Sequence, residues 1–310
     1  MVSRSAPKRG HVSPYFLLTL TPLFWSVNWI LGRALHHDIP PMAMTFYRWL
    51  FAIVILAPFA LRAVVREWPL IRAHWRRMLV LGTIGIGSHN ALAYLGLNYT
   101  TATNGVILNS FIPVMIIVIA WIFLRQRLTG TQLAGVAISL AGVLAILSGG
   151  SLAALASFRL NGGDLLIILS MAMWSTYTIL LRWRPPGLTM LAFLFAIAVI
   201  GDAFMLPFWL VERSLGYHVV WTWQAFAALA CVALFSSVLA YIFWNRGVEA
   251  VGAPVAVLFV HLMPVFGVLL AWLFLDERLA LFHVLGIGLI LTGIGITSRR
   301  GAGVAPAGTD

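Results

Sequence analysis

Polar and aromatic residues recur at helical spacing inside apolar segments of this 310-residue chain. Positions i, i+3, i+4 and i+7 of a helix share one face, and Asn90, Tyr94 and Asn98 follow this spacing. A second stripe of the same kind begins at an offset of 147 residues and consists of Ser237, Tyr241, Trp244 and Asn245. Amides, hydroxyls and aromatic rings bind small solutes without reacting with them. We therefore expect these faces to bind a ligand rather than to catalyse a reaction.

Other apolar segments carry side chains of the same types. The additional candidates for a solute-binding surface are Trp25, Asn28, Trp29, His89, Asn109, Ser110, Trp174, Tyr177, Thr178 and His261. A polar group inside a bilayer needs a protein or water partner, so these residues favour a bundle interior or a wet cavity. We predict that they line one central cavity together with Asn90, Tyr94, Ser237, Tyr241 and Trp244. Any single Asn or Ser also fits ordinary hydrogen bonding between helices.

Two prolines and two asparagines occupy corresponding positions in the two halves of the chain. Pro113 and Pro264 interrupt the hydrogen-bond ladder of a helix, so we interpret them first as kinks and second as hinges. Asn98 and Asn245 come near the ends of their apolar segments, where helix capping is the expected role.

Ionisable residues inside the apolar segments are few. Arg48 and Asp202 lie in corresponding segments of the two halves, and they either pair with each other or face a solute path, because charges inside a membrane are costly. His89 and His261 are the groups near the predicted cavity that titrate close to neutral pH, and they either couple a proton or make ordinary hydrogen bonds. A nearly neutral, aromatic cavity suits a small zwitterion with an apolar side chain, such as an amino acid.

The composition indicates an integral membrane protein. Hydrophobic residues make up 61% of the chain and charged residues 9%, whereas a soluble domain carries about 25% charged residues. The net charge of +11 sits between the apolar segments and not on a soluble face, which argues against nucleic-acid binding. The single cysteine, Cys231, excludes an intrachain disulfide and a cysteine-based metal site.

A membrane span needs about 20 mostly apolar residues. Ten segments meet this requirement, near 14–34, 42–61, 77–97, 103–124, 131–149, 164–182, 188–211, 222–245, 254–275 and 280–298. Arg and Lys concentrate in the loops on the side of the N-terminus, and loops of this kind face the cytoplasm. We therefore predict an all-α, multi-pass protein of the cell inner membrane with both termini in the cytoplasm. The first span is expected to be an uncleaved anchor, because its apolar part is too long for a signal peptide.

Two stretches of the chain are nearly the same. Residues 113–128 read PVMIIVIAWIFLRQRL and residues 264–279 read PVFGVLLAWLFLDERL, at an offset of 151. Ten spans then divide into two copies of five, and an odd number of spans forces the copies into opposite orientations. Inverted repeats are typical of secondary transporters, whose substrate site lies between the copies. The expected division is a tail over 1–13, repeats over 14–149 and 164–298, a linker over 150–163 and a tail over 299–310.

The endings of the repeats carry a family resemblance. The pattern Pro-x7-Trp-x-Phe-Leu-x2-Arg-Leu closes the fourth span of each half, and a glycine-rich span follows it. In these features the chain resembles EamA-type members of the drug/metabolite transporter superfamily over about residues 14–298, and it is most similar there to bacterial aromatic amino acid exporters. One departure is that Gln126 in the first copy stands where the second copy keeps Glu277. The resemblance implies two five-helix repeats around a central substrate path.

Patterns typical of enzymes and metal sites are missing from the sequence. It contains no Ser-His-Asp cluster, His-Glu-x-x-His motif or phosphate-binding loop, and no lysine lies in a predicted span. The resemblance and the neutral cavity together predict an exporter of aromatic and other hydrophobic amino acids or related metabolites, working by alternating access without a cofactor or a metal. Three alternatives stay open: efflux of another substrate class, including drugs; a channel-like facilitator without ion coupling; and a sensor that binds a ligand without net transport. We also expect the glycine-rich fifth and tenth spans to serve packing or a homodimer.

Overall fold

Helices make up the regular structure wherever the chain is described, and no strand occurs there. The computed structural model describes residues 12–35, 38–100, 105, 108–125, 129–151, 153, 160–274 and 279–301. Within these ranges we number the helices α1 Pro14–Ala34, α2 Pro41–Ala73, α3 Trp75–Leu97, α4 Ile112–Leu124, α5 Gly130–Leu147, α6 Gly162–Leu180, α7 Met190–Ser214, α8 Trp223–Val251, α9 253–274 and α10 Leu281–Gly301.

Eight helices in the described part of the chain are long and apolar enough to cross a membrane, and α4 adds a shorter apolar segment. The chain is therefore a multi-pass membrane protein. Most helix ends fall within a few residues of the predicted spans, but α2 and α8 continue to Ala73 and Val251. Arg62 and Arg66 on the additional turns of α2 are exposed. Charged ends of this kind extend a helix beyond the apolar window from which the spans were predicted.

Side-chain caps define where several helices begin. The Thr129 and Asn161 side chains accept hydrogen bonds from the backbone three residues later, at the starts of α5 and α6. Thr189 and Thr222 do the same for α7 and α8. Such caps satisfy backbone N–H groups that have no partner inside the helix. The caps therefore fix the residue at which each of these helices starts.

Corresponding helices of the two halves pack against one another. Helix α5 packs on α10, and α2 packs on α7. Helix α3 packs on α6, and in the other half the corresponding helix α8 packs on α1. In the same way, α4 packs on α6 and α9 packs on α1. This pattern is unchanged when the halves are exchanged, so a pseudo-two-fold axis relates helices α1–α5 to helices α6–α10.

Glycines allow α5 and α10 to approach each other closely. A Cβ atom built on Gly142 would lie 2.6 Å from the carbonyl oxygen of Gly286, and one built on Gly286 would lie 2.7 Å from the carbonyl oxygen of Gly142. Gly135 and Gly293 meet in the same way further along both helices. Small residues of this kind are typical of helix interfaces in membranes. The glycine faces of α5 and α10 thus pack against each other within one chain. A homodimer through these two helices would have to use their outer faces.

Two glutamates hold α2 and α7 together at both ends. Glu212 near the end of α7 accepts hydrogen bonds from the backbone N–H groups of Met42 (2.9 Å) and Ala43 (2.7 Å) at the start of α2. Glu67 of α2 accepts one from the backbone N–H of Thr189 (2.8 Å), just before α7. A carboxylate at a helix N-terminus satisfies free N–H groups and interacts favourably with the helix dipole. The two helices therefore form a fixed antiparallel pair against which the remaining helices pack.

Candidate functional site

Helices α3 and α8 each contain a π-helical stretch at corresponding places, Thr83–Ser88 and Val232–Leu239. A π-helical turn shifts the register of the side chains that follow, and such turns are frequent at functional sites. Gly85 lies in the first stretch, where a Cβ atom would collide with the ring of Tyr177. The Gly85 carbonyl oxygen accepts a hydrogen bond from the Tyr241 hydroxyl at 2.9 Å. The polar stripe of α8 therefore reaches the π-helical part of α3.

Arg48 of α2 joins these two regions. Its Nε donates to the Ser237 hydroxyl at 2.6 Å, and its Nη2 donates to the Ser236 carbonyl oxygen at 3.3 Å. Its Nη1 donates to Asn90 Oδ1 at 3.0 Å and to the Tyr94 hydroxyl at 3.2 Å. Asn90 and Ser237 are counterparts in the sequence repeat, so one guanidinium bridges the corresponding faces of α3 and α8.

The hydrogen bonds continue from Arg48 to α1. The Tyr94 hydroxyl donates to Asn28 Oδ1 at 3.1 Å. Arg48 is 2% exposed and Asn90 is 6% exposed, whereas Tyr94 and Asn28 are half-buried. We call the connected residues the arginine network, and its members are Arg48, Asn28, Asn90, Tyr94, Ser236 and Ser237. Its accessible edge is therefore formed by α1 and α3.

The predicted alternative in which Arg48 pairs with Asp202 is wrong. The salt bridges among the described residues are Arg66–Glu67 and Arg184–Glu249, and Arg48 instead takes the hydroxyl, amide and carbonyl partners given above. Asp202 is buried in α7, and its Oδ1 has no hydrogen-bond partner within the described ranges. The two residues lie on corresponding helices, but Arg48 turns towards α3 and α8.

Six aromatic rings pack together where the two halves meet. The ring of Trp174 lies at their centre, with centroid distances of 5.1 to 5.8 Å to Trp25, Tyr177, Tyr241 and Trp244. Trp49 contacts Tyr241 edge to face at 4.9 Å. We call these rings the aromatic cluster: Trp25, Trp49, Trp174, Tyr177, Tyr241 and Trp244. All of them are buried except Trp25, which is half-buried.

The arginine network touches the aromatic cluster. The guanidinium carbon of Arg48 lies 5.6 Å from the ring centroid of the neighbouring Trp49. The indole N–H groups of Trp49 and Trp244 are buried and have no acceptor among the described residues. An unpaired buried donor costs about 1–3 kcal/mol. The cluster is thus mainly apolar but contains two N–H groups that an acceptor could satisfy.

Two pairs of repeat counterparts touch each other. Trp25 and Trp174 correspond at an offset of 149 residues and meet at 5.1 Å, nearly perpendicular. Ser110 and His261 correspond at an offset of 151, and His261 Nε2 lies 2.9 Å from the Ser110 carbonyl oxygen. Counterparts can touch only near the axis that relates them. The pseudo-two-fold axis therefore passes close to both contacts and through the aromatic cluster.

Both predicted histidines make ordinary hydrogen bonds. His261 Nε2 donates to the Ser110 carbonyl oxygen at 2.9 Å, and its Nδ1 lies 2.6 Å from the Ser139 hydroxyl. His89 Nδ1 lies 3.0 Å from the Ser170 carbonyl oxygen of α6, and its ring packs against Trp174 in a tilted arrangement, with 5.0 Å between the ring centroids. In the described structure the two histidines tie helices together, and a role in proton coupling stays a prediction.

Both prolines lie in the first turn of a regular α-helical segment. Pro113 occupies the first turn of α4. Pro264 comes just after the 3-10 stretch Val257–His261, in the first turn of the α-helical part of α9. Proline is tolerated in a first turn because that N–H has no partner anyway. Their roles as kinks and as hinges both stay predictions.

Asn245 differs from the prediction made for it. It is fully buried inside α8, and its Oδ1 accepts a hydrogen bond from the Tyr177 hydroxyl at 3.0 Å. The capping role predicted for Asn245 is wrong, because α8 continues beyond it to Val251. Asn98, in contrast, does lie at the end of α3.

The remaining predicted residues are less closely connected with these groups. Thr178 is buried, and its hydroxyl has no partner among the described residues. Asn109 Nδ2 lies 3.8 Å from Met263 Sδ. The side chain of Trp29, and residues Gln126 and Glu277, lie outside the described residues.

Three important residues lie outside the predicted surface. The sequence allowed Arg48 either to pair with Asp202 or to face a solute path, and a lone arginine within an apolar span is itself a signal of a functional site. Trp49 and Ser236 gave no signal, because their roles depend on packing with other helices. Ser236 contributes its backbone carbonyl to Arg48, a contact that no residue type predicts.

The fold and the paired polar faces define a class of protein: a multi-pass helical membrane protein built from two five-helix repeats, with its polar and aromatic residues gathered between them. The EamA-like transporter family model matches the chain twice, over residues 12–148 and 161–299. The chain belongs to this family, and it is therefore a membrane transport protein.

Relatives agree with this assignment. The chain is 27% identical over 287 residues to the uncharacterized transporter YyaM of Bacillus subtilis (strain 168), covering 92% of this chain and 93% of the relative. It is 29% identical over 293 residues to an uncharacterized transporter of Archaeoglobus fulgidus, covering 92% and 97%. It is also 24% identical to protein PecM of Dickeya dadantii, covering 88% of each chain. A protein of known crystal structure superposes with a TM-score of 0.73 at 17% identity, over 93% of this chain and 97% of that one, which shows the shared fold.

Proposed function

We propose that this transporter exports aromatic and other hydrophobic amino acids, or closely related small metabolites. The observation that carries the proposal is the contact between the aromatic cluster and the arginine network where the repeats meet. Rings such as Trp25 and Trp174 suit an apolar side chain, while the amides, hydroxyls and guanidinium of the network suit the polar groups of an amino acid. Trp25 and Asn28 lie one turn apart on α1 and so connect the two parts.

We further propose alternating access as the mechanism, with both termini in the cytoplasm. Repeat counterparts touch near the pseudo-two-fold axis, so a solute bound there contacts both halves at once. If each repeat adopts the conformation of the other, the same site opens to the opposite side of the membrane. The irregular backbone near His261 and in the π-helical stretches of α3 and α8 provides places where such a change requires few broken hydrogen bonds.

Two alternative functions compete with this proposal. One is efflux of another substrate class by the same mechanism. The other is a channel-like facilitator that allows diffusion without a conformational cycle. The burial of Tyr177, Tyr241 and Trp244 where the two halves meet favours a carrier over an open pore.

Transport of labelled phenylalanine into proteoliposomes tests this proposal. We expect saturable uptake that is accelerated when unlabelled phenylalanine is present inside the vesicles, since a carrier exchanges solutes through one site. Unlabelled tryptophan and leucine should compete, whereas lysine and glutamate should not. Uptake that never saturates and shows no exchange would point to a facilitator. Competition by cationic drugs but not by any amino acid would instead support efflux of another substrate class.

A further inference from the structure

Arg48 carries a positive charge inside the membrane-spanning part of α2. It is 2% exposed and lies about two turns from the start of the helix at Pro41. A charge in this position costs several kcal/mol unless a partner compensates it. Its partners in the arginine network are two hydroxyls, one amide oxygen and one backbone carbonyl, all of them neutral. The network thus solvates the guanidinium but leaves its charge uncompensated.

Acidic residues in the described structure are engaged elsewhere or are not paired with Arg48. Glu67 and Glu212 cap helices α7 and α2, and Glu249 forms a salt bridge with Arg184. Asp202 has a buried carboxylate oxygen without a partner and is not bonded to Arg48. No carboxylate in the described part of the chain therefore serves as the counterion of Arg48.

One N–H group of the guanidinium makes no hydrogen bond to the described residues. Arginine has five N–H groups, and the network uses one on Nε, two on Nη1 and one on Nη2. The second N–H of Nη2 has no acceptor among the described residues. Next to the guanidinium, Tyr94 is half-buried and can turn its O–H from Asn28 to another acceptor. The second N–H of Arg48 Nη2 and the Tyr94 hydroxyl, which lies on the accessible edge of the network, are thus two donors available to an anionic group.

We propose that Arg48 binds the carboxylate of the transported solute. This inference rests on the proposed function and deepens it, because it assigns the solute to small monocarboxylates with an apolar side chain. One carboxylate oxygen would accept from Arg48 Nη2, and Tyr94 would donate to the other. Asn28 lies on the same edge, three residues or about 4.5 Å along the helix axis from Trp25. The apolar side chain of a carboxylate held by Arg48 would then meet the aromatic cluster at Trp25.

Thermal stabilisation of the purified protein by four matched probes tests the inference. The probes are phenylalanine, phenylalaninamide, 3-phenylpropionate and phenethylamine, which share the phenyl ring and differ in the carboxylate and the amino group. We expect the two carboxylates to stabilise the wild-type protein at concentrations about tenfold or more below those of the amide and the amine, as loss of charge-assisted hydrogen bonds implies. Arg48→Gln should abolish this preference, and Arg48→Lys should keep part of it. Arg62→Gln, an exposed change on the same helix, should leave it unchanged.

The outcomes separate this inference from the proposed function. Equal stabilisation by phenylalanine and its amide in the wild-type protein would overturn the carboxylate site, even where labelled phenylalanine is transported. A preference for carboxylates that survives Arg48→Gln would overturn it as well. A preference that disappears in Arg48→Gln would support the site even where phenylalanine is not transported, in which case only the proposed substrate would be wrong. Because the wild-type comparison needs no variant, the inference stays testable if Arg48→Gln does not fold.

Discussion

Trp174→Ala is expected to reduce phenylalanine uptake to the level of empty liposomes and to destabilise the protein by about 3–5 kcal/mol. The Trp174 ring is 3% exposed and contacts four other rings of the aromatic cluster as well as His89. Removing it would leave a cavity at the pseudo-two-fold axis and would separate Trp25 from Tyr241. Uptake in proteoliposomes and thermal unfolding in detergent measure the two effects.

Three further variants separate binding from stability. Trp174→Phe keeps a ring at the centre and should retain the fold with reduced uptake. Trp25→Ala removes a half-buried ring, so it should weaken phenylalanine binding with a smaller loss of stability. Trp183→Ala is the matched control, because this tryptophan follows the same helix but is 39% exposed. Normal uptake by both Trp174→Ala and Trp25→Ala would show that the aromatic cluster is not the substrate site.

Gly286→Leu is expected to prevent the two glycine faces of α5 and α10 from closing. A Cβ atom at this position would lie 2.5 Å from the Ile146 side chain and 2.7 Å from the backbone oxygen of Gly142. The backbone oxygen cannot rotate away, so the helices must separate. Overpacking of a core commonly costs about 1–3 kcal/mol, and a leucine against backbone should reach the upper end. The melting temperature and the yield of monodisperse protein measure the effect.

Gly288→Leu provides the control for this prediction. Gly288 lies two residues further along α10, is exposed, and has open space within 4 Å of the point where a Cβ atom would lie. The same substitution should therefore leave the melting temperature nearly unchanged. Equal destabilisation by both variants would mean that α10 does not pack as the structure shows.

The elements of the fold were predictable because their signals are local. Apolar length gave the positions of most helices, and the repeat at a constant offset identified which helices correspond. The same repeat selected residues that meet in the structure, such as Trp25 with Trp174. These predictions succeeded because a membrane span and a repeated motif are both properties of contiguous sequence.

The parts of the site that were missed depend on contacts between distant segments. Helix α8 continues to Val251, so Asn245 meets Tyr177 inside the bundle instead of capping a helix end. Arg48 and Asp202 looked like a pair because they lie on corresponding helices. Only the packing of α2 against α3 and α8 shows that Asn90 and Ser237 take the guanidinium instead. Sequence patterns give the candidates, but helix rotation decides which of them face each other.

A single cysteine at position 28 gives a decisive test of one substrate site shared by the two repeats. Cys231 is the only native cysteine, so Asn28→Cys in a Cys231→Ser protein yields one reporter thiol beside Tyr94. In vesicles of known orientation we measure its reaction with a membrane-impermeant thiol reagent added to either side. Ser214→Cys, exposed at the end of α7, serves as a control that reacts from one side only.

We expect the thiol at position 28 to react from both sides and phenylalanine to slow both reactions. Reaction from one side only, or rates that phenylalanine does not change, would contradict a shared site that opens alternately to each side.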